Sequence, residues 1–273
     1  MKIEDIKELE KKAVEIRKNI IEQVYNAKSG HPGGSLSIAD IMAVLYFNEL
    51  KIDEKNPRWE ERDRLVLSKG HCSPALYATL AERGFFDKQD LKTFRKIDSR
   101  LQGHPDMNKV PGVDMTTGSL GQGLSVANGM AISAKIDNKN YRVYCIVGDG
   151  EIEEGQIWEA AMTSNKYNLD NLCVIVDNNN LQIDGTIEEV MSSYPIDKKF
   201  ENFGFNVINI DGHNIEEIIK AFNLAKQVKN KPTCIIAKTV KGKGISFMEN
   251  QVGWHGKAPN DEQYEQIIKE FEK

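Results

Sequence analysis

The chain has 273 residues, 40% of them hydrophobic and 28% charged, and a formal net charge of −5 spread along its length. This is the balance of a water-soluble globular protein with enough chain to bury a substantial core. It excludes a basic stripe for nucleic acid, an apolar signal-peptide segment and a membrane-spanning run, so the expectation is a cytoplasmic protein.

The first element is an amphipathic helix over residues 4–27, in which Ile6, Leu9, Ala13, Ile16, Ile20 and Val24 recur at three- and four-residue spacing. Ser29, Gly30, Pro32, Gly33 and Gly34 predict a loop carrying His31, and a second helix follows from about Ile38 to Leu50. Five short apolar or β-branched runs come next: Leu65–Ser68, Val143–Val147, Cys173–Asp177, Asn206–Ile210 and Cys234–Lys238. Helical patterns at Ile157–Tyr167 and Ile215–Val228 alternate with the later ones, and a short helix is expected over Gln263–Glu272. Buried strands alternating with helices predict an α/β fold, a mostly parallel sheet with helices on both faces. No repeat or linker divides residues 1–273, so a single domain is expected. The four cysteines (Cys72, Cys145, Cys173, Cys234) form no CxxC pair, and three lie in strand-like runs, which reads as reduced, buried thiols.

In such sheets the ligand site lies beyond the carboxyl ends of the strands. Strand Val143–Val147 runs into Gly148-Asp149-Gly150, and strand Cys173–Asp177 runs into Asn178-Asn179-Asn180. Each alone is an ordinary turn. Together, on one sheet edge, they supply hard oxygen donors of the kind magnesium prefers. The pairing resembles the thiamin-diphosphate motif. That resemblance implies that the Asp149 carboxylate, the Asn179 amide and the Leu181 carbonyl hold Mg2+ (or Ca2+ or Mn2+). It also places Gly150 at the cofactor and Ile183 near the thiazolium ring, with Asp184-Gly185 as the turn that leaves the site.

Further segments are similar to those of transketolases: Ser29-Gly-His-Pro-Gly33, Leu67-Ser-Lys-Gly-His71, Gly103-His-Pro105, Thr116-Thr-Gly-Ser-Leu-Gly-Gln-Gly123, Glu154-Gly155 and Trp254-His-Gly256. They occur in the family's order across nearly the whole chain, and four of the five histidines fall within them. The resemblance implies a thiamin-diphosphate-binding fold, its diphosphate-binding domain. It assigns His31 and His255 to proton transfer at the donor sugar, and His104 to the first hydroxyl of the ketose. His71, Lys69 and Lys241 would lie at the diphosphate or the reacting centre, with His255 also against the cofactor. Gly118 and Leu120 would touch the aminopyrimidine, and Glu154 would join a carboxylate relay across a subunit interface. His213 reads as a turn residue after a strand. Small residues at Gly34, Ser35, Cys72 and Ser119 depart from the commoner pattern and bear on substrate preference.

Family members activate the cofactor with a glutamate from a second domain and clamp the sugar phosphate with arginines. Neither is recognisable after Trp254-His-Gly256. The expectation is therefore a transketolase subunit that works with a separate C-terminal subunit, the carrier of that glutamate. Two copies of each would form a heterotetramer in which this chain is a homodimer. Its intact helical start and end favour a natural subunit over a truncated one. The expected reaction moves a ketol unit between sugar phosphates such as xylulose 5-phosphate and ribose 5-phosphate, in the non-oxidative pentose phosphate pathway. Another thiamin-dependent carboligase acting on an unusual sugar, and a catalytically silent cofactor-binding module, are the alternatives.

Overall fold

The computed structural model describes residues 2–271. Strands β1 (Arg64–Leu67), β2 (Val143–Gly148), β3 (Leu172–Asn178), β4 (Asn206–Asp211) and β5 (Thr233–Lys238) form one sheet in the order β1-β2-β3-β5-β4. Every pairing is parallel. The helices are α1 (Ile6–Ala27), α2 (Pro32–Ser37), α3 (Ala39–Val44), α4 (Ser73–Arg83), α5 (Gln122–Ile136), α6 (Gly155–Lys166), α7 (Ile187–Val190), α8 (Ile196–Asn202), α9 (Ile215–Gln227) and α10 (Asp261–Phe271). No helix among the described residues is long and apolar enough to cross a membrane.

Alternation along each strand explains why both faces are covered. In β3, Cys173 and Ile175 join the core made with α1, α3, α4 and α9, while Val174 and Val176 join the core made with α5, α6 and α8. Period-two side chains put successive residues on opposite faces, so a strand buried on both sides must be apolar throughout. Full burial of each such aliphatic contributes about 1.5–3 kcal/mol. Helix α1 lays Leu9, Ala13, Ile16, Ile20 and Val24 onto this core and starts at Asp5, whose side chain accepts from the Lys7 N–H at 2.8 Å.

The expected strands are present, with ends that differ by a residue. The helix expected from Ile38 to Leu50 is α3 continued by wider turns over Leu45–Glu49. The segment expected as a loop after His31 is helical from Pro32, because proline suits the first helical position, where its missing N–H costs nothing. Helices α4 and α5 carried no sequence signal: the first is buried almost all round, the second is small and apolar on most faces, and neither shows an amphipathic period. The terminal helix is Asp261–Phe271; Glu272, at the end of the expected segment, lies outside the described residues.

Candidate active site

Parallel register brings the two motif strands to one edge. Gly148 pairs with Asp177, and Asn178 pairs with Lys238, so the segments that follow leave the sheet side by side. They open on a cavity of about 350 Å3 whose walls hold Asp149, Gly150, Asn179, Leu181 and Ile183 from the two strand ends. Lys69, His71, His104, Gly118, Leu120, His31, Lys241 and His255 complete it. Of the residues given a catalytic, cofactor or metal role from the sequence, only Glu154 lies outside the walls. It is exposed at the start of α6, and a Cβ on Gly121 (φ +80°) would lie 2.7 Å from the Glu154 Cβ, so only glycine fits there.

The floor is a buried polar network. Asp149 accepts from the N–H of Gly150 at 2.9 Å and of Asn180 at 2.5 Å. Burial, then the Asp177 carboxylate, pushes Asp149 up to about 7, which leaves a carboxyl group that a cation would favour in its charged form. Asp177, fully buried, was not anticipated as a site residue. Its carboxylate accepts from Ser37 Oγ (2.6 Å), Lys69 Nζ (2.5 Å), Asn179 Nδ2 (2.8 Å) and Thr239 Oγ1 (2.5 Å). By taking the Asn179 amide hydrogen it leaves Asn179 Oδ1 as the free end, where the Leu181 N–H donates at 3.2 Å. Burial opposes both charges of the Asp177–Lys69 pair, but their mutual attraction holds Asp177 low and Lys69 high. Lys69 Nζ also donates to the Gly34 carbonyl at 2.8 Å, so this lysine is partly committed to holding its neighbours.

Lys241 carries the second buried ammonium. It donates to the Leu181 carbonyl and lies against His255 Nδ1, both at 2.8 Å, and burial pulls it down to about 8. The His255 ring therefore accepts at Nδ1 and keeps its hydrogen on Nε2. His31, His71 and His255 form a triangle with ring centroids 5.2, 5.4 and 5.5 Å apart. Burial first, and then neighbouring positive groups, hold His31 and His71 at about 4 and His255 at about 3. All three are neutral imidazoles at pH 7, able both to accept and to donate a proton. His104 is exposed at the mouth; burial and then the neighbouring His71 and Arg95 lower it as well.

Two supports were invisible in sequence. Glu151 is buried and accepts from Ser68 Oγ (2.5 Å), Gly121 N–H (3.0 Å) and Gly148 N–H (2.9 Å), tying the Gly118–Gly123 loop to the end of β2. Arg95 adopts a left-handed backbone (φ +60°), donates to Ser29 Oγ at 3.0 Å and packs on Gly103 beside His104. A glycine at 70 is required by close approach, since a Cβ there would meet Thr117 and Gly118 within 2.8 Å. Chemically, the floor offers one carboxylate, one amide oxygen and one carbonyl. Among the described residues no three His, Cys, Asp or Glu side chains gather as metal ligands; oxygen donors of this kind suit a hard cation.

A parallel α/β sheet with a cavity of polar floor at its carboxyl edge defines the class: a cofactor-binding α/β domain of the doubly covered kind. Residues 9–272 match the family described as "Transketolase, thiamine diphosphate binding domain", and the chain belongs to the transketolase family through that domain. It is 46% identical to a 6-deoxy-6-sulfo-D-fructose transketolase subunit of Clostridium sp. (strain MSTE9) over 266 residues, 97% of each chain. It is 44% identical to an apulose-4-phosphate transketolase subunit of Phocaeicola vulgatus, over 97% of this chain and 94% of that one. The transketolase of Campylobacter jejuni has a solved structure that superposes with a TM-score of 0.93 at 38% identity. That match covers 98% of this chain and 43% of the other, so the chain spans about two fifths of a full-length transketolase.

Proposed function

We propose that this chain is the thiamin-diphosphate- and magnesium-binding subunit of a two-subunit transketolase, which transfers a two-carbon ketol group from a ketose phosphate to an aldose phosphate. The observation that carries the reading is one cavity shared by the Asp149–Asn179–Leu181 oxygen set and three neutral histidines. The residues fit the cofactor. A buried carboxyl group raised to about 7 would be held in its charged form by a cation, the donors are hard oxygens, and Lys241 adds a positive group for a diphosphate.

Asp149, Asn179 and the Leu181 carbonyl would hold Mg2+ (Ca2+ or Mn2+ being substitutes), and Lys241 and Lys69 would balance diphosphate charge. When bound, thiamin diphosphate would supply a nucleophilic ring carbon and a cationic ring that delocalises the electron pair left when the ketose carbon–carbon bond breaks. His31, His71 and His255 move protons at the sugar hydroxyls, and His104 at the mouth donates a hydrogen bond to a terminal hydroxyl. Ile183 and Leu120 offer apolar surface to the rings. Residues 1–273 act as one domain. A separate C-terminal subunit provides the activating glutamate, reached through Glu154, and the groups that grip the sugar phosphate. Two copies of each chain make a cytoplasmic heterotetramer.

The test is to copurify this chain with its partner and assay ketol transfer from xylulose 5-phosphate to ribose 5-phosphate. Loss of transfer in Asp149→Ala is the expected result; transfer by the pure single chain without a partner would sink the division of the enzyme between two chains. A second reading, transfer on a sugar outside the pentose phosphate pathway, draws support from the two relatives matched over nearly their full length, whose names specify 6-deoxy-6-sulfo-D-fructose and apulose 4-phosphate. A donor panel that includes sulfonated and branched ketoses separates the two.

A further inference from the structure

The fifth histidine lies outside the cavity, behind the segment that supplies Lys241. That segment is pinned at successive residues. Thr239 Oγ1 donates to Asp177 at 2.5 Å, the Val240 N–H to His213 Nε2 at 2.8 Å and the Gly242 N–H to the Gly33 carbonyl at 3.0 Å, while the Lys243 carbonyl accepts from Arg17 Nε at 3.1 Å. His213 is in turn fixed. Because the Val240 N–H donates to Nε2, the ring hydrogen sits on Nδ1, which lies 2.7 Å from Asp40 Oδ2. Asp40 is locked by a bidentate pair with Arg17, at 3.0 and 2.5 Å, and both side chains are about nine-tenths buried. The backbone of His213 is set as well, its N–H donating to Asp211 Oδ1 at 2.9 Å.

The arrangement is a chain of directional bonds that runs Arg17–Asp40–His213–Val240 and ends one residue before the cavity's lysine. We propose that His213 is a positioning residue for Lys241: with Asp40 and Arg17 behind it, it holds the 239–243 segment so that the Lys241 ammonium is presented to the diphosphate end of the cavity. This rests on the thiamin-diphosphate reading above. The physical reason is that Lys241 has a long, rotatable stem and must lose its freedom to bind an anion well. A backbone fixed on both sides of Lys241 removes part of that cost before the ligand arrives. The burial that surrounds Lys241 makes its aim matter more, since a buried ammonium away from its partner is poorly solvated.

Two substitutions separate the role from simple packing. In His213→Gln the amide oxygen accepts from Val240 while its NH2 donates to Asp40; in His213→Phe the volume is filled and both bonds are lost. Dissociation constants for Mg2+–thiamin diphosphate are measured by calorimetry on the complex of this chain with its partner. The Phe variant should bind about tenfold or more weakly, and the Gln variant close to the unsubstituted protein. In a Lys241→Met background the Phe substitution should cost nothing further, because its effect passes through Lys241. An equal loss in both backgrounds, or unchanged binding in a folded Phe variant, overturns the proposal. Amide exchange at Val240 in the unloaded chain should quicken in Phe and not in Gln; no change in Phe also overturns it. If the unsubstituted complex takes up no thiamin diphosphate, the functional reading fails instead, and exchange at Val240 alone decides whether the brace exists.

Discussion

The floor of the cavity and its mouth are built on opposite terms. Asp149, Asp177, Lys69 and Lys241 are at most 3% exposed, and each is hydrogen-bonded within this chain. Leu120 is 38% and Ile183 66% exposed, and the side chains of His104 and Glu154 make no hydrogen bond to another described residue. The floor is preorganised for charge by its own loops, whereas the mouth exposes apolar and polar groups. That contrast supports the division of the active site proposed above: positioning complete on one side, chemistry completed from the other.

The hardest test of the floor is Asp149→Ala. Replacing a group that supports a metal ligand costs 10–100-fold in affinity, so losing the carboxylate itself should lower ketol transfer by at least about 100-fold. Titrating activity against Mg2+ checks it, and a normal response would break the comparison. Asp177→Ala should act on stability. It leaves Lys69 buried without its counter-charge and is expected to cost about 3–5 kcal/mol in denaturant unfolding. A loss below 1 kcal/mol would mean that the floor is not held by this pair. Lys241→Met keeps the volume and removes the charge; cofactor affinity should fall about tenfold, near the lower end of what supporting groups cost, while the unloaded fold persists.

The histidine triangle adds a pH signature. Folded His71 stays neutral down to about 4, whereas the unfolded side chain takes up a proton below about 6.5. Its contribution to stability is thus intact above pH 6.5 and lost progressively as the pH falls towards 4. Asp149, raised to about 7, acts in the opposite sense over its own range, so the informative quantity is the difference between the unsubstituted protein and His71→Asn. That difference should shrink from pH 6.5 to pH 4 in denaturant titrations; a flat difference would refute the neutral triangle. The mouth should give the smallest change in the isolated chain. Leu120→Ser is expected to alter stability by no more than about 0.5 kcal/mol, as exposed positions do. Partner affinity, read by analytical ultracentrifugation, should weaken, and an unaffected assembly would place the interface elsewhere.

Local patterns made much of this legible. The strands announced themselves as short β-branched runs, because a strand buried on both faces has no polar position to disguise it. The cavity histidines and the Asp149 and Asn179 segments stood out as chemistry-bearing residues beside glycine, proline or strand ends. Helices α4 and α5 did not, since burial almost all round in α4, and small or apolar residues on most faces of α5, erase the amphipathic period that reveals a helix. Nor did Asp177, Glu151 or Asp40. In sequence each is one carboxylate among 41 acidic residues; Glu151 and Asp177 adjoin the motif segments, but nothing in the pattern says that they are buried and paired.

Residue type and spacing along the chain therefore determined the fold class and the strand-end motif loops, and the family resemblance of the other motifs pointed to most of the cavity wall. Tertiary structure alone decided which charges meet. Lys69 and Asp177 are 108 residues apart, Ser68 and Glu151 are 83 apart, and Asp40 and His213 are 173 apart. Parallel strands joined by helical crossovers bring such distant segments to one edge, and only there does burial turn a solvated side chain into a paired one.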